Sequence, residues 1–171
     1  LYNTIAEALI AGADTLLLNR FLPGGRGMHH AQELMLTEAQ INEMIQIADE
    51  VLTASERFGH VGTELPACII KYKSSEHLVV GTGCSAATQF FVVGPGGWIR
   101  TCNHSPIEML HFSEIEKLKD HPYWKQFVFK EYHPEMCKSC DVLFHCDGGC
   151  REAAHVYRGC ADGNDPVFPA I

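Results

Sequence analysis

The sequence predicts an α+β chain in two parts. A helix, strand, loop and helix fill residues 1–60, and a smaller unit of short strands, short helices and cysteine-rich loops fills residues 61–171. Three observations carry this reading. The first sixty residues alternate helical periodicity with one brief apolar run, the texture shifts to short turn-bounded segments from about residue 61, and five of the eight cysteines crowd between Cys137 and Cys160.

In the first part, Ile5, Leu9 and Ile10 recur at helical intervals over residues 2–11, and Gly12 follows where a C-cap belongs. Thr15 to Asn19 is an apolar run too short for a helix, and it enters the turn-rich stretch from Pro23 to Gly27, so it is expected to be a buried strand. Thr37 and Gln40 form a capping box. Ile41, Met44, Ile45, Ala48, Val51 and Leu52 then line one face of a helix over about 37–55.

In the second part, the stretches around 68–72 and 77–80 are expected to be short strands. Residues 89–93 and 98–102, separated by Gly94-Pro-Gly-Gly97, predict a hairpin that brings Cys84 towards Cys102. Ser113 and Glu116 mark a second capping box, opening a short helix that ends before His121-Pro122. Gly163, Pro166 and Pro169 make the tail irregular. Trp98, Trp124 and the methionines are expected in the core.

Composition bounds the function. Acidic residues outnumber Lys and Arg by 21 to 13, for a formal charge of -8, and no basic cluster is present to neutralise phosphates, so no nucleic-acid partner is expected. No apolar stretch approaches the roughly 20 residues that span a bilayer, and no signal peptide is visible. A cytoplasmic chain with no membrane association is the expectation. Eight cysteines allow about 105 disulfide pairings, but nothing suggests secretion and the spacings are those of metal ligands, so reduced thiols are expected.

The cysteines read C-x12-G-x4-C from Cys84 through Gly97 to Cys102, then C-x2-C-x5-C-x3-C from Cys137 through Cys140 and Cys146 to Cys150, then Cys160. Thiolates in such sets bind zinc or iron-sulfur clusters. Zinc ribbons use two knuckles of about C-x2-C each, whereas one pair here has that interval. The ferredoxin run C-x2-C-x2-C-x3-C-P is absent. No P-loop or dinucleotide fingerprint accompanies the glycines, which suit turns and close backbone approach. His104 lies two residues past Cys102, where it could meet a substrate or sit in an exposed loop; neither it nor any other histidine is assigned a role.

The full spacing resembles the seven-cysteine signature of the SPASM domain, the auxiliary iron-sulfur domain of many radical SAM enzymes. The stretch from Leu16 to Gly27 before the helix at Thr37 similarly resembles the terminal β/α unit of their partial TIM-like barrel. This resemblance implies two 4Fe-4S clusters with interleaved ligands. Cys84, Cys102 and Cys150 would bind cluster I, and Cys137, Cys140, Cys146 and Cys160 cluster II. Two clusters with four thiolates each call for about eight ligands, so Cys68 is the candidate fourth ligand of cluster I. Its other reading is a free thiol packed as a small hydrophobe.

In this family a radical generated from S-adenosylmethionine at a further 4Fe-4S cluster attacks a peptide or protein, commonly giving oxidation, crosslinking or thioether formation. The resemblance implies an electron-transfer and substrate-positioning role within such an oxidoreductase or maturase, with a reductant such as ferredoxin or flavodoxin. The C-x3-C-x2-C motif of that further cluster is absent, since Ala153 stands where its third cysteine would follow Cys146 and Cys150. The chain therefore has no expected S-adenosylmethionine site, and that cofactor and the third cluster would belong to a preceding region. Asn103 replaces the aspartate proposed as base in the sulfatase-maturing branch, which counts against that activity. The alternatives are a maturase of a tetrapyrrole or other cofactor, a stand-alone iron-sulfur electron carrier, and a zinc-binding interaction module.

Overall fold

The computed structural model describes residues 1–169 and mixes helices with a small parallel sheet and a separate hairpin. Helix α1 (Tyr2–Ile10) ends as the sequence suggests: Gly12 takes φ +98°, and the Ala13 amide reaches back to the Ala8 carbonyl at 3.0 Å. Strand β1 (Thr15–Leu18) follows, then a 3-10 turn (Gly25–His30) and the single-turn α2 (Ala31–Leu34).

Helix α3 (Glu38–Ala54) is capped reciprocally. The Gln40 amide donates to Thr37 Oγ1 at 3.3 Å, and the Thr37 amide donates to Gln40 Oε1 at 2.9 Å. Its apolar stripe is buried, with Ile41, Ile45, Ala48 and Leu52 fully excluded from solvent. They pack with Ile5 of α1 and with strands β2 (Phe58–Val61) and β3 (Leu78–Val80) to form the main core.

The three strands run parallel in the order β1, β2, β3, with Leu17 opposite His60 and His60 opposite Val79. The sheet therefore continues past residue 60, and the change in texture read there falls inside β2. The strand expected at 68–72 is instead one 3-10 turn, Ala67–Ile69, because Pro66 removes a donor at its start.

The hairpin is shorter than expected: β4 (Val92–Val93) pairs with β5 (Ile99–Arg100), Val93 opposite Ile99. Residues 86–90 curl into a turn, the Ala87 amide bonding the Phe90 carbonyl at 2.9 Å. Gly97, the glycine of the cysteine spacing, has φ +80°, and a Cβ there would lie 2.2 Å from His111 Nε2. Both the backbone angle and the space demand glycine.

The capping box read at Ser113 does not form. His111 caps instead, accepting the Ser113 amide at Nδ1 (3.3 Å), and Phe112–Asp120 is a 3-10 segment kinked at Glu114. Helix α4 (Pro122–Val128), unread in the sequence, opens with proline at its first turn, where no amide is needed. Trp98 is 44% exposed rather than core, and Met136 is exposed, whereas Met44 and Met109 are buried. Helix α5 (Arg151–Arg158) follows Cys150 and stops at Gly159 (φ +88°). Among the described residues no helix is long and apolar enough to cross a membrane.

Ile45→Ala should lower the unfolding free energy by about 2–5 kcal/mol, and Thr37→Ala by about 1 kcal/mol. Urea titration of both variants measures the difference between losing the core and losing the cap.

Candidate functional site

All eight cysteines are free thiols, and seven of them fall into two neighbourhoods. Cys84, in the loop after β3, Cys102, just beyond β5, and Cys150, the residue before α5, line one cavity of about 260 Å³. Glu64, Asn103, His104 and Glu152 share its wall.

Two of these three cysteines are held directly by a buried carboxylate, and the third has one bound to its neighbour. The Cys84 amide donates to Asp147 Oδ2 at 2.7 Å, and the Cys150 amide donates to Asp165 Oδ2 at 2.9 Å. Thr101, beside Cys102, donates its hydroxyl to Glu152, which also receives the Tyr123 hydroxyl at 2.7 Å. Asp147, Glu152 and Asp165 are each at most 1% exposed and are themselves satisfied. Asp147 meets Lys130 and His133, and Asp165 is clamped by both terminal nitrogens of Arg20 at 2.8 and 2.5 Å. Gly149 makes the second clamp possible, since a Cβ there would fall 2.2 Å from Asp165 Oδ2 and its φ is +93°.

The second neighbourhood gathers around Cys146. Its sulfur accepts the amides of Ala67 (3.2 Å) and Gly148 (3.4 Å). Gly148 has φ +74°, and a Cβ there would lie 3.0 Å from Pro134 Cδ and meet the Cys137 sulfur at 3.4 Å, so glycine lets the backbone sit close against the turn that carries Cys137. Cys137 ends a 3-10 turn (Glu135–Cys137), and the Cys140 amide bonds the Cys137 carbonyl at 3.0 Å.

Cys68, assigned by count to the first set, stands here instead. It follows Ala67 directly, and after burial the charges of Cys146 and Cys140 push its thiol upward most. The 3-10 turn at Ala67–Ile69 turns it towards Cys146, where a strand was expected. Cys160, assigned to the second set, is exposed beyond the end of α5, and its thiol is held up first by a hydrogen bond to Asp162.

Arg151 braces the whole region and was not singled out in the sequence. Fully buried, its guanidinium donates to the carbonyls of Gly149 (3.1 Å), Ala161 (3.1 Å), Gly163 (2.9 Å) and Gly148. No carboxylate neutralises it among these contacts, and its positive charge favours the thiolate forms of Cys137 and Cys160. The signal for it was the local string Cys-Asp-Gly-Gly-Cys-Arg-Glu from 146 to 152, whose charges cannot be read as buried without the fold.

Electrostatics divide the two groups. Burial pushes Cys102 up to about 11, with Glu152 as the next cause, and Cys150 up to about 12, with Glu64 next. Cys84 is raised further by the same two causes, burial and Glu64. Burial also lowers His104, favouring neutral imidazole. These thiols keep their protons until a cation displaces them, so loading any thiolate-bound metal there releases protons. Among the described residues, no three His, Cys, Asp or Glu side chains converge as closely as the ligands of a single metal ion. No protein-family model matches the chain, and no solved structure matches it.

Two outcomes follow. Asp165→Ala strands a buried Arg20 charge and should destabilise the chain by about 3–5 kcal/mol, read by urea unfolding. The raised thiols Cys102 and Cys150 add stability that is complete below their ordinary 9.0 and is lost as pH rises through about 11 and about 12. Under reducing, metal-free conditions the urea midpoint should therefore fall above pH 9, and the fall should be smaller in Cys102→Ala.

Proposed function

We propose that this chain supplies two 4Fe-4S centres auxiliary to a radical SAM enzyme that oxidises or crosslinks a peptide or protein. On this reading, β1, α3 and β2 form the last β/α unit of a partial barrel, and the cysteine-rich remainder is a SPASM domain. The observation that carries the proposal is the parting of Cys146 from Cys150. These thiols, four residues apart, belong to different groups: Cys150 lines one cavity with Cys84 and Cys102, whereas Cys146 does not line it and groups with Cys137 and Cys140. Interleaving of that kind is what the resemblance implies for two separate centres.

The residues fit such groups. Thiolates are the usual ligands of 4Fe-4S clusters, and each neighbourhood offers at least three. When bound, the clusters would exchange single electrons.

The chain's own residues do the positioning. Asp147 and Asp165 fix the backbone of Cys84 and Cys150 through charge-assisted hydrogen bonds. Amides of Ala67 and Gly148 donate to the Cys146 sulfur, which lowers the cost of its negative charge. Arg151 adds a buried positive charge near Cys137. Asn103 and His104, on the wall of the first cavity, are the polar groups best placed to meet a peptide arriving there.

Anaerobic reconstitution should give about eight irons, four for each of two clusters. In reduced protein, Cys146→Ala and Cys150→Ala should each remove a different electron paramagnetic resonance signal. Stoichiometric zinc with little iron, or loss of one and the same signal in both variants, would overturn the proposal.

A further inference from the structure

We propose that Glu64 is the fourth ligand of the first centre, which is thereby held by three thiolates and one carboxylate, while Cys68 takes the place in the second that the resemblance gives to the exposed Cys160. The inference rests on the two-centre reading above and goes beyond it by changing the ligand set that the cysteine count implies.

The cavity bounded by Cys84, Cys102 and Cys150 contains no fourth thiol, but it does contain Glu64. Cys68 is committed elsewhere: it does not line this cavity, and its neighbour Ala67 donates its amide to the Cys146 sulfur at 3.2 Å.

Glu64 is also fixed relative to a cysteine of its cavity. Its carbonyl accepts from Arg20 Nη2 at 2.9 Å, the same guanidinium grips Asp165, and Asp165 accepts the Cys150 amide. The next residue, Leu65, is fully buried and bonds the Gly81 carbonyl at 2.9 Å, three residues before Cys84. Two short rigid paths thus hold the Glu64 backbone against two of the three cysteines.

Its carboxylate is the one left over. Of the acids around the thiols, Asp147, Glu152 and Asp165 are each engaged by side-chain donors. Among the described residues Glu64 receives no side-chain hydrogen bond, only backbone amides, its own and that of Ser85.

Arg20 lines the same cavity and attracts the Glu64 carboxylate by charge, but the carboxylate it hydrogen-bonds is that of Asp165. Glu64 lines the one cavity that Cys84, Cys102 and Cys150 also line. Placing a carboxylate among three buried thiols is unfavourable when all four are ionised, and a shared cationic centre converts that repulsion into attraction for each.

The test is anaerobic reconstitution of the intact chain, with paramagnetic resonance and Mössbauer spectra of wild type, Glu64→Ala, Glu64→Cys and Cys68→Ala. Cys150→Ala and Cys137→Ala identify the first and second centres. Glu64→Ala should shift or abolish the first signal and leave the second, which also reports that the variant has folded. Cys68→Ala should affect the second signal only. Glu64→Cys should retain the wild-type iron count with the first signal moved to that of a four-thiolate cluster. The wild-type Mössbauer spectrum should contain one oxygen-ligated iron in the first centre, a reading that needs no variant to fold.

First-centre spectra unchanged in both Glu64 variants, or abolished by Cys68→Ala, would overturn the assignment while leaving two centres in place. Wild-type protein without iron and sulfide would overturn the two-centre reading itself, and this inference with it.

Discussion

The buried pair between Arg20 and Asp165 joins positions 145 residues apart, and the arrangement of the thiols depends on it. Arg20 follows β1, Asp165 lies in the irregular tail, and Cys150 hangs from the same carboxylate. A pair this deep contributes little net stability, since the desolvation of both charges offsets most of their attraction. What it supplies is register. With one partner exposed or shifted, the other would be a lone buried charge, so few alternative packings of tail against sheet are tolerable.

The same logic recurs at smaller scale around residues 146–152. Asp147, Arg151 and Glu152 are almost wholly buried, yet each meets fixed partners drawn from distant segments: the loop at Thr82 to Cys84, the turn at Tyr132, the hairpin exit at Thr101. Gly148 and Gly149 supply the left-handed backbone that lets consecutive side chains point to opposite sides. Apolar packing here is thin, with Ala86, Ala87, Phe127 and Tyr132 as its main members. Polar satisfaction therefore does much of the specifying, and it is unforgiving of single losses.

The sequence made α3 legible because a capping box and a six-residue apolar stripe agree at every level. It made the separation of Cys146 from Cys150 legible only through resemblance, since spacing alone would place close thiols together. What it hid were non-local effects. Cys68 could be counted but not located, because a single 3-10 turn after Pro66 decides which group it faces. Ser113 looked like a cap, and His111 displaced it once the bridge between Trp98 and His111 had fixed the histidine ring. Arg20 and Arg151 are buried, but nothing beside them in the chain sets them apart from the arginines that stay at the surface, as most do.

The unequal exposure of the two groups sets an order in time. Cys68, Cys140 and Cys160 are open to solvent, whereas Cys102 and Cys150 are closed off and Cys84 is half-buried. Thiol oxidation and alkylation need both access and thiolate, and the inner group is poor in each while its protons remain. An oxidant or alkylating reagent therefore consumes the exposed Cys68, Cys140 and Cys160 first, and the buried Cys102, Cys146 and Cys150 last, until the fold opens around them. Damage to this protein is graded by depth, with the cavity beside Glu64 keeping its sulfur chemistry longest.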